Sequence, residues 1–127
     1  MKIGELAALT GVSVRSLRYY ESQGLITPVR QANGYREYSP LAIETVETIK
    51  LYLNLGLSTE QISGILQCVI RNKESFCEEV MPLYESKLAD IERQLLELTQ
   101  IKRNLEERMA SIIQEQGGNQ NGNITGE

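Results

Sequence analysis

From Tyr84 onward, apolar side chains recur at alternating steps of four and three residues. Tyr84, Leu88, Ile91, Leu95, Leu98, Leu105, Met109 and Ile112 hold the stripe, Lys102 interrupts it once, and Ile101 stands beside that interruption. Such a period draws one narrow apolar seam along a long helix, and a seam of this kind is stable only when another surface covers it. In a chain of 127 residues little sequence remains to cover several heptads. The simplest cover is a second copy of the same helix, which gives a two-fold homodimer; the competing arrangement is a helix folded back on its own domain.

The first thirty-eight residues carry a different pattern. Ile3, Leu6, Ala7 and Leu9 form an apolar face at helical spacing, and Thr10-Gly11 supplies the break that lets the chain reverse. Ser13 has the position of an N-cap for a second helix in which Leu17 and Tyr20 face inward. Val14, Arg15, Arg18 and Tyr19 are left toward the outside, and Gly24 marks the end. A strand, an Asn33-Gly34 turn and a second strand, Tyr35-Arg36-Glu37-Tyr38, follow as a hairpin. Alternation is read as sending Arg36 to the face opposite Tyr35 and Tyr38, unless a bulge intervenes. Arginine forks donate to phosphates and base edges alike, and tyrosine adds a rigid hydroxyl, so a helix and a wing bearing these groups have the chemistry to grip DNA.

Charge is distributed to match. The net charge of −4 hides a balance of +2 in residues 1–38, where Lys2, Arg15, Arg18, Arg30 and Arg36 face Glu5, Glu21 and Glu37, and leaves −6 on the rest. A local basic footprint on an acidic chain suits a protein that binds one DNA site without saturating on bulk DNA.

The run IGELAALTGVSVRSLRYYESQGL followed by NGYREYS resembles the amino-terminal domain of the MerR family of bacterial transcription regulators. The likeness continues through Ser39-Pro40 opening a helix, Gly56-Leu57-Ser58 between two helices, and the long final helix, so that it covers roughly residues 1–114. The resemblance implies a mainly α fold: a winged helix-turn-helix DNA-binding domain with a small β-hairpin wing, followed by a long dimerisation helix that pairs antiparallel. The DNA-binding domain spans 1–70, with the helix-turn-helix at about 4–23 and the wing at about 26–38; the dimer helix spans 75–114. The resemblance further implies double-stranded promoter DNA and RNA polymerase as partners, with a dimer distorting an overlong promoter spacer when its signal arrives. Ser13, Val14 and Arg15 are assigned to base edges, and Arg18, Tyr19, Tyr35, Arg36 and Tyr38 complete the expected DNA contacts.

Between wing and seam, the helix carrying Leu41, Ile43, Val46, Ile49, Leu51 and Leu53 ends at Gly56, and Ser58 with Gln61 forms a capping-box pattern for the helix of Ile62, Ile65, Leu66 and Val69. Ser75 with Glu78 repeats that pattern and places Cys77 in the first turn of the dimer helix. Cys77 resembles the position of one metal-binding cysteine in mercury-responsive members, but the loop that carries their other thiolates has no cysteine here, and the chain has no histidine. No metal site and no cofactor are therefore expected. Cys77 is read three ways: a small packing residue, a redox or electrophile sensor, or a metal ligand, with Cys68 as a second candidate sensor. Both are expected as free thiols, with Cys77 the more reactive because a helix N-terminus favours thiolate.

Without a histidine, a glycine-rich phosphate loop or a nucleophile elbow, the chain is not read as an enzyme. No apolar run is long enough for a membrane span or signal peptide, which points to the cytoplasm. The length leaves no room for a large effector-binding domain. Residues 115–127, rich in Gly and Asn, are read as a disordered tail. Two other functions fit the same residues: an effector-free repressor or architectural DNA-binding protein, and a coiled-coil interaction module.

Overall fold

The structure, a computed structural model, describes residues 1–125, with side chains described as far as residue 117. Among these residues the elements are α1 (Ile3–Thr10), α2 (Val14–Ser22), β1 (Val29–Arg30), β2 (Arg36–Glu37), α3 (Leu41–Asn54), α4 (Thr59–Arg71), a 3-10 turn at Glu74–Phe76, and α5 (Val80–Thr125). They form two compact units, Met1–Lys87 and the stretch from Leu88 onward, so α5 contributes to both.

In the first unit, α1 packs on α2 and α3, and α3 packs on α4. The core joins Leu6, Leu17, Tyr20, Val46, Ile49, Tyr52, Ile62, Ile65 and Leu66 to Leu25, Ile26, Tyr38, Leu57, Cys77 and Val80. Gly11 closes α1 in the left-handed region at φ +72°, and its N–H donates to the Ala7 carbonyl at 2.9 Å. That conformation costs an L side chain roughly 1 kcal/mol or more, which is why glycine stands there. The inward position one turn after Leu6 goes to Thr10 rather than to Leu9, which is exposed. The Thr10 hydroxyl is satisfied by donating to the Leu6 carbonyl at 2.8 Å.

On α3 the inward face is Thr45, Val46, Ile49 and Tyr52, spaced by three and four, so Leu41, Leu51 and Leu53 lie outside the core. The Ser58 capping box forms as read: Ser58 Oγ accepts from Gln61 N–H at 3.1 Å, and Gln61 Oε1 accepts from Ser58 N–H at 2.9 Å.

The second capping box does not form. Residues 74–76 make a 3-10 turn, α5 begins at Val80, and Cys77 lies before the helix in extended backbone. The reason is in the connector's anchors. The Glu74 carboxylate accepts from the Tyr52 and Tyr84 hydroxyls at 2.6 and 2.9 Å, and Cys77 is joined to Cys68, so both ends of the turn are held in a shape a regular helix does not match. Pro82, which lacks an N–H, falls in the first turn of α5, where none is needed.

In the second unit Leu88, Ile91, Leu95, Leu98, Leu105, Met109 and Ile112 all remain more than a third exposed, together with Ile101. The helical backbone continues to Thr125 across most of the stretch that composition marks as a disordered tail, because an established helix adds one hydrogen bond for each residue it fixes. Residues 126 and 127 lie outside the described residues.

Candidate nucleic-acid interface

The second helix is set by its two ends and its two inward residues. Ser13 Oγ accepts from Ser16 N–H at 3.1 Å and caps α2, while Leu17 and Tyr20, one turn apart, are buried. Val14 is half-buried at the helix start; Arg15, Arg18 and Tyr19 are exposed. At the turn before α2, Lys50 Nζ donates to the Thr10 carbonyl at 2.7 Å, placing a cation on the C-terminal end of α1, where the helix dipole favours it. The turn between the two helices is therefore held from α3.

The wing differs from its expected form in three ways. Gly34 alone takes positive φ (+86°); its N–H donates to the Gln31 carbonyl at 2.9 Å and Gln31 N–H donates to the Tyr35 carbonyl at 2.8 Å. This is the three-residue loop of a turn followed by a left-handed glycine, not a two-residue turn with both residues at positive φ. Arg36 and Tyr38 share a face rather than opposing each other, as their spacing of two requires: both reach Glu21 on α2, Arg36 Nη1 at 2.9 Å and the Tyr38 hydroxyl at 3.5 Å. Finally, Tyr38 is 2% exposed and belongs to the core, so it is withdrawn as a DNA contact. Burial and the neighbouring Glu21 carboxylate raise its pKa, which keeps the phenol protonated as a donor. Tyr38 is further pinned by Met1, whose carbonyl accepts from Tyr38 N–H at 2.7 Å and whose ammonium donates to the Tyr38 carbonyl at 2.9 Å.

Glu21 thus fastens the wing to α2, and the consequence is a cleft. Lys2, Ile3, Arg18, Gly34, Tyr35 and Arg36 line an open cavity of about 590 Å³. Three cations converge there, with one carboxylate, Glu21, paired to Arg36. Tyr35 is exposed, and Lys2 Nζ sits 4.8 Å from the centroid of its ring, a cation–π contact that holds both side chains at the rim. Across the hairpin Arg30 pairs directly with Arg36. Like charges opposite each other repel, and the Glu21 carboxylate 2.9 Å from Arg36 offsets that repulsion. Sequence reasoning brought Arg18, Tyr35 and Arg36 to this place and missed Lys2 and Arg30. The one signal for both was their share in the positive balance of residues 1–38.

The expected sensor residues are not free thiols. Cys68 in the last turns of α4 and Cys77 before α5 are joined as a disulfide, with Cα atoms 6.0 Å apart. Neither is therefore a thiolate ligand in this state. Cys77 is 4% exposed and Cys68 half-buried, and Cys77 stands before α5 rather than in its first turn, so the helix-dipole ground for its greater reactivity is absent.

A capped, arginine-bearing second helix beside a basic hairpin, on a small helical core continued by a long helix, defines a winged helix-turn-helix DNA-binding protein. Residues 1–68 match the profile of the MerR HTH family regulatory proteins, and residues 43–108 match that described as MerR, DNA binding. The chain belongs to the MerR family and is a transcription regulator, not an enzyme. It is 34% identical over 106 residues to the HTH-type transcriptional regulator HmrR of Rhizobium leguminosarum bv. viciae, covering 84% of this chain and 81% of that protein. It is 37% identical over 105 residues to the mercuric resistance operon regulatory protein of Bacillus cereus, covering 82% and 79%. Among solved structures, the transcription regulator PbrR691 from Ralstonia metallidurans CH34, in complex with lead(II), superposes with a TM-score of 0.76 at 28% identity, covering 84% of each chain. No helix among the described residues is long and apolar enough to cross a membrane.

Proposed function

We propose that this chain acts as a homodimer on promoter DNA in the cytoplasm and controls transcription by distorting the promoter spacer in response to a signal. The observation that supports the reading is the basic cleft of Lys2, Arg18 and Arg36 beside the exposed face of α2, because cations so disposed suit the phosphates flanking a helix in the major groove. Ser13, Val14 and Arg15 read base edges from the N-terminal turn of α2. Arg18, Tyr19, Tyr35, Arg36 and Lys2 hold the backbone. The uncovered seam from Leu88 to Ile112 supports the dimer, and Tyr84, half-buried at its upper end, continues it. Two reading heads fixed by one dimer set the distance between half-sites, and a change in that distance bends or untwists the DNA between them, letting RNA polymerase engage both promoter elements.

The relatives' names speak of mercury and lead. In this chain the two cysteines are bound to each other, so the signal proposed for it is thiol-based. The test is selection of DNA from a random pool by the purified full-length protein. A two-fold symmetric motif with half-sites about one helical turn or more apart is expected; enrichment of no motif, or of an asymmetric single half-site, would overturn the reading.

A further inference from the structure

The connector between α4 and α5, residues 72–79, is held by two clamps. One is polar: Glu74 accepts from Tyr52 of α3 at 2.6 Å and from Tyr84 of α5 at 2.9 Å. The other is covalent: Cys77 is bonded to Cys68 of α4 across a sequence separation of 9. Immediately after them Val80 is 3% exposed and seats the first turn of α5 on the core. We infer that Cys68 and Cys77 form a reversible dithiol–disulfide pair whose redox state sets how firmly α5 is seated at its first turn. The inference rests on the proposed regulator reading and names the signal for it: a peroxide as oxidant and a cellular dithiol as reductant.

Several observations suit such a pair. With the bond formed, the Cα separation of 6.0 Å lies inside the ordinary disulfide range. Cys68, half-buried, is the thiol a small oxidant reaches first, and Asn72 Nδ2 stands 3.8 Å from its sulfur, a weak donor toward thiolate. Cys77 waits behind it, shielded from further oxidation. The chemistry balances in two steps. The Cys68 thiolate attacks one oxygen of hydrogen peroxide, the O–O bond breaks, Cys68 becomes a sulfenic acid and, with a proton, hydroxide leaves as water. The Cys77 thiolate then attacks that sulfur, the S–S bond forms, the S–O bond breaks, and the departing hydroxide takes up a proton and leaves as a second water. An external dithiol reverses the result by exchange through a mixed disulfide and is itself oxidised.

When the bond opens, the connector keeps only the Glu74 clamp. Closing a link of this length makes local opening up to about a hundredfold rarer in the loop-entropy account, so the two states differ in the freedom of the first turns of α5 more than in their fold. Those turns lead into the seam that we assign to the dimer, which makes them the place where a local change in stiffness can reach half-site spacing.

The experiment uses the full-length protein. Reduced protein is treated with hydrogen peroxide, and thioredoxin is then used to reverse the change, with thiols trapped and counted by mass spectrometry. Hydrogen exchange of residues 72–84 is followed in both states, together with run-off transcription from DNA selected by the same protein. Expected are a loss of two hydrogens on oxidation, restoration by thioredoxin under native conditions, exchange of the segment slowed about tenfold or more by the bond, and a transcript level that differs between states. The Cys68→Ser/Cys77→Ser protein should behave as the reduced form in all readouts. Identical exchange in the two states, a disulfide that native thioredoxin cannot open, or a reduced protein that ignores peroxide and instead binds one mercuric ion would each overturn the inference. Failure of both states to retain DNA would sink the regulator reading, while the exchange measurement still decides the redox pair.

Discussion

Arg18→Ala isolates the contribution of the basic cleft to DNA binding. Arg18 is exposed on α2 and makes no ion pair among the described residues, so its removal should alter fold stability by no more than about 0.5 kcal/mol. Each phosphate contact on duplex DNA contributes about 0.9 to the slope of log affinity against log salt. Two copies of the cleft in a dimer lose one contact each, and the slope should fall by about 1.8. Between about 50 and 200 mM salt the parent protein should then lose about twelvefold more affinity than the variant. Fluorescence anisotropy on a selected duplex and on a random one, across that range, measures both slopes. The decrease should be the same on the two duplexes, since phosphate carries no sequence. Arg15→Ala should behave differently, relaxing preference at one base position in each half-site while leaving the slope nearly intact. An unchanged slope in Arg18→Ala, or a loss confined to the selected duplex, would refute the placement of α2 and its cleft against the backbone.

Two further outcomes test the supports of this site. Replacing Leu95 and Leu98 by Asp places carboxylates in the seam, each costing several kcal/mol if buried unpaired, and should give monomers with collapsed DNA affinity; light scattering that shows an intact dimer would remove the coiled-coil argument. Tyr52, 1% exposed and donating to Glu74, has its pKa raised by burial and by that hydrogen bond. Its folded-state pKa lies above the unfolded value, so its contribution is fully present below about pH 10 and is lost as pH rises beyond, by up to about 1.4 kcal/mol per pH unit. Urea titrations should show Tyr52→Phe less stable than the parent by about 1–2 kcal/mol at neutral pH, with a shallower decline above pH 10. Equal slopes in that range would show that Tyr52 ionises as freely in the fold as outside it.

Much of the site was legible because it rests on local rules. The Ser13 cap, the inward pair Leu17 and Tyr20, and the outward Arg15, Arg18 and Tyr19 all follow from helix period and a capping residue, and they stand in the structure as the sequence implies. Failures came where a contact distant in sequence decided the outcome. Tyr38 looked like part of an exposed wing, but Met1, thirty-seven residues away, and Glu21 draw it into the core. Lys2 became part of the cleft only when Tyr35 came to lie beneath it.

The amino-acid order alone determined that α1 to α4, a hairpin and a long seam-bearing helix are present, because each is written in periodicities of three to four residues or in turn residues with restricted φ; it did not fix where α5 begins or the form of the hairpin turn. Tertiary structure decided which of those elements' side chains serve which end. It turned Arg36 toward Glu21, moved Cys77 out of the helix and joined it to Cys68, and gathered three cations into one cleft. Pairings of this kind depend on how helices pack in space, and no local period in the chain encodes that distance.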